Sequence, residues 1–137
     1  MRAVTDSAPK PWMRLFGGAD LVAAAVIAVG VFRGLPARWA PVDVPSAIVA
    51  GLLGVSGVLL VMRHPRALPV ARIAAFAALA AGLVLVTLLA IAASWLFGVY
   101  GPVGRGGALL LVLVAALVLP YLVFLPAAQL LWARSTR

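Results

Sequence analysis

The sequence predicts an all-α membrane protein, a four-helix transmembrane bundle of two antiparallel helical hairpins that forms one domain, 1–137. Three observations predict this fold class. Hydrophobic residues make up 66% of the chain and charged residues 10%, and the mean hydropathy is +1.19. Soluble domains are about half apolar and a quarter charged. The apolar residues also fall into four long runs, and the loops between these runs alternate between many and few basic residues.

Each of the four runs is long enough, or nearly so, to cross a bilayer as a helix. A hydrocarbon layer about 30 Å thick needs about 20 apolar residues at the helical rise of 1.5 Å per residue. The predicted spans are Leu15–Phe32, Ser46–Met62, Ile73–Phe97 and Gly107–Trp132. The first run is unlike a cleaved signal peptide, because Asp20 interrupts it and Arg33 and Arg38 follow it where the cleavage site should lie. We therefore expect an uncleaved first span.

The distribution of basic residues predicts the orientation. With four crossings, the two tails and the second loop share one side and carry eight Lys and Arg residues, whereas the other two loops carry three. The eight are Arg2, Lys10, Arg14, Arg63, Arg66, Arg72, Arg134 and Arg137, and the three are Arg33, Arg38 and Arg105. The positive-inside rule then places both termini in the cytoplasm.

The aromatic residues favour the same orientation, since Trp and Tyr prefer the headgroup level of a membrane. Trp12 and Trp132 fall at the predicted cytoplasmic interface, and Trp39, Trp95 and Tyr100 fall at the opposite one.

The composition also indicates compartment and partners. A net charge of +8 is common in nucleic-acid-binding proteins, but these basic residues lie in short loops and form no stripe, so we expect no nucleic-acid partner. The abundance of Arg and Ala is typical of GC-rich bacteria and favours a bacterial inner membrane. We expect the lipid bilayer as a partner, together with either another membrane protein or a second copy of the chain.

Proline and glycine mark the loops. The first loop, 33–45, contains three prolines, so we expect the second span to start at Pro45 and Ser46. The second loop, 63–69, is short and predicts a tight hairpin of spans two and three. The third loop, 98–106, contains four glycines and is expected to be the most mobile link.

Small residues predict how the spans pack, because helices in lipid associate where small side chains let their backbones approach. On span two these residues share one face: Ala47, Ala50, Gly51, Gly54 and Gly57. The matching face of span three consists of Ala74, Ala77, Ala78 and Ala81. We expect these two faces to pack together, with self-association of the chain as the alternative.

Asp20 is the one ionisable residue placed within a predicted hydrocarbon region. A carboxylate exposed to lipid is costly, so we expect Asp20 to face the bundle, with Arg72 and Gln129 as candidate partners at the same depth. One interpretation is a structural contact that fixes the helix register. The other is a carboxylate that binds a proton or a cation.

Pro120 and Pro126 interrupt span four, and each frees the carbonyl group four residues earlier, so a bend is expected. Tyr121 lies beside the first proline near the midplane and completes a candidate intramembrane polar site with Asp20, Arg72 and Gln129. Such a break either is simple kinked packing or lines a substrate pathway. Ser56 and Thr87 also lie near the midplane, and we expect both to bond to their own helix backbones.

Groups suited to catalysis are scarce. His64 is the only histidine, and the chain has no Glu and no Cys, so we expect no catalytic, cofactor or metal site and no enzyme activity. The sequence therefore favours a small non-catalytic integral membrane protein, an accessory or assembly subunit of a larger membrane complex. The alternative is a small oligomeric transporter or ion-conducting protein that uses Asp20.

Overall fold

The computed structural model describes residues 10–34 and 40–135, and in these ranges the chain is helical apart from one short turn, with no strand. The elements are α1 (Lys10–Gly34), α2 (Ala40–Val61), α3 (Ala67–Leu119), a π-helical turn (Pro120–Phe124) and α4 (Leu125–Ser135). Trp39, which was predicted to lie at an interface, and the basic residues Arg2, Arg38 and Arg137 lie outside the described residues.

Three helical stretches are long and apolar enough to cross a membrane: Pro11–Gly34, Ala40–Val61 and Ala67–Arg134. The third contains 68 residues. A straight helix of that size would be about 100 Å long, more than three times the thickness of a hydrocarbon layer. The helix is therefore too long for a single crossing unless it is interrupted.

The interruption lies at Gly101, which has φ 53° and ψ −129°. This region of backbone space is open to glycine because a Cβ atom would be strained there. Gly101 divides α3 into two arms, 67–100 and 102–119. The expectation of a mobile loop over 98–106 is wrong, because the chain is helical on both sides of this single residue. Pro102 directly follows the break, where a new helix tolerates a missing N–H group.

Two compact units are distinguished, one made of residues 75–130 and the other of α1, α2 and the two ends of the 67–135 segment. Within 75–130 the chain doubles back as a helical hairpin. A Cβ atom added to Gly104 would collide with the carbonyl oxygen of Leu96, and one added to Gly82 would collide with that of Leu122. Both pairs bracket Gly101 at nearly equal distances along the chain, as in an antiparallel pair of helices.

The π-helical turn has a cause in the sequence. The N–H group of Leu125 bonds to the carbonyl of Pro120, five residues earlier, so the helical ladder shifts register between the two prolines. Pro126 has no N–H group to give to the carbonyl of Leu122. That carbonyl instead faces Gly82, where the absence of a side chain leaves room for it.

In the unit that contains α1 and α2, these two helices pack along each other. The buried residues of α2 are Val49, Leu53, Ser56, Gly57 and Leu60, whose spacing of three and four defines one side of a helix. On α1 the buried positions include Phe16, Asp20 and Ala23, with the same spacing. The interface is therefore a seam in which, among these residues, large apolar side chains and small or polar residues occur in equal number.

The predicted packing face of α2 is rotated relative to this seam. Gly57 lies within it, and the three atoms nearest to a Cβ added there all belong to α1. Gly54 has one distant neighbour, the Cβ of Ala24 at 4.0 Å, and Gly51 has none within 4 Å. Gly51 therefore lies outside the seam with α1, and its packing against the third span stays a prediction.

The start of α2 also differs from the expectation. The helix begins at Ala40 rather than at Pro45, so only five residues separate it from Gly34, the end of α1. Pro41 falls in the first turn, where N–H groups have no partner within the helix in any case. Asp43 also lies in this turn and favours it through the helix dipole.

Between α2 and α3 the chain makes a Schellman turn. The N–H group of His64 bonds to the carbonyl of Leu59 at 3.0 Å, and that of Arg63 bonds to the carbonyl of Leu60 at 3.2 Å. Arg63 takes the left-handed position of this turn, with φ 53°. His64 then helps to start α3, because its Nδ1 accepts the N–H group of Arg66 at 3.2 Å.

Candidate polar site between the first two helices

The hydroxyl group of Ser56 donates a hydrogen bond to Oδ2 of Asp20 at 2.7 Å. Both side chains are fully buried, with 0% of their surface exposed. A carboxylate in an apolar environment is costly unless hydrogen bonds compensate the lost water. Ser56 supplies one such bond, from the neighbouring helix.

The backbone geometry explains why two short side chains can meet. Gly17 precedes Asp20 by one turn of α1, and Gly57 directly follows Ser56 on α2. A Cβ added to Gly57 would lie 2.8 Å from the carbonyl oxygen of Gly17, so the two helices are in close contact at this point. A carboxylate on a single methylene group can then reach a serine hydroxyl across the interface.

The sequence-based interpretation of Ser56 is wrong. We expected its hydroxyl group to bond to its own helix, as that of Thr87 does to the carbonyl of Leu83 at 2.8 Å. Thr87 is exposed, whereas Ser56 lies in the seam. A signal for the pair was present in the sequence, since both Asp20 and Ser56 stand within one turn of a glycine.

Arg72, a predicted partner of Asp20, has a described hydrogen bond elsewhere. Its Nη2 atom donates to the carbonyl oxygen of Ala133, near the end of α4. The last four carbonyl groups of a helix lack partners within it, so a guanidinium group at this position satisfies one of them. Arg72 therefore ties the start of α3 to the end of α4.

The remaining predicted site residues lie on α3, the π-helical turn and α4. Gln129 is a buried residue of α4, with 4% of its surface exposed. Tyr121 lies in the π-helical turn and is exposed, so its ring is not part of an enclosed polar cluster. Ala74 and Ala78, predicted to lie on a packing face, are both completely buried.

In the unit that contains α1 and α2, an aromatic cluster lies at the same end as Arg72. The ring of Phe16 is 6.1 Å from that of Trp12 and 5.3 Å from that of Trp132, measured between ring centroids. These contacts join the first turns of α1 to the last turns of α4. The beginning of α1 and the end of α4 therefore meet at one end of the unit.

The chemistry open to the Asp20–Ser56 pair is limited. A carboxyl group can hold one proton, and a serine hydroxyl can donate to it or accept from it. In the part of the chain that the structure describes, no three His, Asp or Glu side chains lie together as a metal ion would require. The arrangement is a buried interhelical hydrogen bond with the capacity to bind a proton.

No family model, curated protein or solved structure matches this chain.

Proposed function

We propose that this chain is a small non-catalytic protein of the bacterial inner membrane, and that it serves as an accessory or assembly subunit of a larger membrane complex. The observation that carries this proposal is the enclosure of Asp20. The carboxyl group sits between α1 and α2 with no exposed surface and holds Ser56, so it stabilises the protein rather than facing a pathway.

Four crossings, with both termini in the cytoplasm, are part of the proposal. The apolar stretch Ala67–Arg134 reverses at Gly101, and each of its arms is then long enough for one crossing. Together with α1 and α2 this gives four. The excess of basic residues in the tails and the second loop supports the cytoplasmic location of the termini.

The exposed apolar surface supports a role in association. Within 75–130 most large side chains are exposed, among them Leu109, Leu113 and Leu117, which recur at the spacing of one helix face. In a membrane such a face contacts either lipid or another helix. The turn between α2 and α3 is short, so the membrane-facing surface of the described helices is their main means of contact with a partner.

Photo-cross-linking in the native membrane tests the proposal. A photoreactive amino acid placed at Leu109, Leu113 or Leu117 is expected to give one discrete adduct with a different protein. The matched control is the same amino acid at Val22, Val26 and Val29, the exposed apolar side of α1. The absence of a protein adduct from every position would contradict a subunit role.

A small oligomeric transporter or ion-conducting protein is the second candidate. The observation that favours it is the position of Asp20, a proton-binding group placed well inside an apolar helix. Reconstituted protein would then carry protons or cations across liposomes, and Asp20→Asn would abolish the flux without unfolding the chain. We expect no flux above that of empty liposomes, and flux that Asp20→Asn removes would replace the first proposal by the second.

A further inference from the structure

We propose that one end of the unit that contains α1 and α2, formed by the start of α1, the α2–α3 turn and the end of α4, binds the headgroups of anionic phospholipids. The surface is a basic collar, defined as Arg14, Arg63, Arg66 and Arg134. This inference rests on the membrane location put forward above and adds a lipid class to it.

Contacts within one unit place the four arginines at the same end. Arg14 and Arg134 each lie two residues from an aromatic residue of the Phe16–Trp132 contact. The end of α2 reaches the same place, because a Cβ added to Gly17 would lie 3.0 Å from both Leu60 and Val61. Arg63 and Arg66 follow α2 directly, in the turn that leads to α3.

The collar has an unbalanced positive charge. All four arginines are exposed, and none forms an ion pair with another described residue. The acidic residues that the structure describes are Asp20, which is enclosed, and Asp43, which lies in the first turn of α2. Asp43 is separated from Val61 by about 27 Å of helix, at 1.5 Å per residue. The positive charge of the collar is therefore not neutralised by the described residues and is available to anionic groups from outside them.

The aromatic cluster indicates how deep in the membrane the basic collar lies. Trp12 is half exposed and Trp132 is partly exposed, and both rings lie against that of Phe16 at a tilt. Tryptophan prefers the headgroup level, so the neighbouring arginines lie where lipid phosphates are found. A guanidinium group forms paired hydrogen bonds with phosphate oxygens, and clusters of basic residues beside membrane helices attract anionic lipids. The combination fits a lipid phosphate better than a soluble anion.

The test compares lipid binding by two charge-matched variants of the full chain. Arg63→Gln with Arg66→Gln removes two charges from the collar. Arg33→Gln with Arg105→Gln removes two exposed charges elsewhere, at the end of α1 and beside the ring of Phe97. Each protein is reconstituted in phosphatidylcholine alone and in mixtures with phosphatidylglycerol, and native mass spectrometry measures the ratio of the two lipids that remain bound.

We expect the unmodified chain and the control variant to retain phosphatidylglycerol preferentially. Each arginine removed from the collar should lower this preference about five-fold. An equal loss in both variants, or no preference in the unmodified chain, would overturn the inference. Inorganic phosphate added to phosphatidylcholine vesicles provides a further arm, since a thermal shift there that depends on Arg63 and Arg66 would assign the site to a soluble anion.

The failure of this inference can be told apart from failure of the membrane assignment. A chain that can be washed from the vesicles by alkaline carbonate is not an integral membrane protein, and both proposals then fail. A chain that resists the wash but shows no lipid preference contradicts the basic collar alone.

Discussion

Ser56 and Asp20 form a hydrogen bond of 2.7 Å between α1 and α2, in a seam where neither side chain is exposed. The bond requires a specific register of the two helices, because both side chains are short and the helices approach closely beside Gly17 and Gly57. A shift of one helix by a single turn would leave the carboxyl group facing apolar atoms.

Replacing Ser56 with Ala should destabilise the chain. The substitution removes one donor from a buried carboxyl group, and interhelical hydrogen bonds in membranes contribute about 0.6 kcal/mol on average and up to about 1.7 kcal/mol. The matched control is Ser94→Ala, since Ser94 is exposed and bonds only to the carbonyl of Ala90 in its own helix at 2.9 Å. Reversible unfolding in detergent measures both variants, and equal effects would argue against an energetic role for the pair.

Alanine substitutions at two glycines of α2 should affect the stability of the protein differently. A Cβ added to Gly57 would lie 2.7 Å from Cγ of Leu21 and 2.8 Å from the backbone of Gly17, so Gly57→Ala must push α1 away and weaken the Asp20–Ser56 bond. Gly51 has no neighbouring atom within 4 Å. Gly51→Ala should therefore be neutral or stabilise the helix by up to about 1 kcal/mol through propensity.

Thermal unfolding in detergent of the two alanine variants, side by side with the unmodified chain, checks this expectation. A destabilised Gly51→Ala would indicate that Gly51 contacts a second copy or a partner. An unchanged Gly57→Ala would contradict the close approach of α1 and α2.

The helical content could be predicted from the sequence, because long apolar runs leave the backbone of a membrane protein few alternatives. The inward orientation of Asp20 followed from the cost of exposing it to lipid. Its partner Ser56 could not be predicted in the same way. The face of α2 that carries its small residues is rotated about the helix axis relative to the face that contacts α1. The rotation depends on the positions of Phe16, Gly17 and Asp20 on α1.

The start of α2 and the reversal at Gly101 also differ from the prediction. Pro41 and Pro45 favour a loop by their residue type, yet both are helical: Pro41 falls in the first turn of α2, which accepts proline, and Pro45 lies inside the helix. The four glycines around position 101 predict a mobile link, which the structure does not show. Only Gly101 has a non-helical conformation, whereas Gly104 provides the close approach to Leu96 that a sharp reversal requires. A glycine needed for conformation and one needed for space look the same in a sequence.

Gly101→Ala should therefore destabilise the helical hairpin, whereas Gly98→Ala should not. At φ 53° and ψ −129° an alanine Cβ is strained, so the substitution opposes the reversal of the 67–135 segment. Gly98 is helical and has no atom within 4 Å of an added Cβ, so alanine should be tolerated or favourable there. Cysteines at positions 96 and 107 report on the reversal, because a Cβ added to Gly107 lies 3.4 Å from Cδ1 of Leu96. We expect their cross-linking to fall in Gly101→Ala and to persist in Gly98→Ala.

The α2–α3 turn offers a stabilising substitution. Arg63 occupies the left-handed position of a Schellman turn, which glycine adopts without the penalty of about 1 kcal/mol or more that a Cβ atom incurs. Arg63→Gly should therefore raise the thermal unfolding midpoint in detergent. Arg63→Ala is the matched control, because it removes the same charge and keeps the Cβ atom, and it should give no gain. If the two variants behave alike, the effect comes from the lost charge and the left-handed conformation of Arg63 carries no cost. If glycine alone stabilises the chain, Arg63 is held in a strained conformation at the centre of the basic collar, and its charge rather than its backbone preference accounts for its presence there.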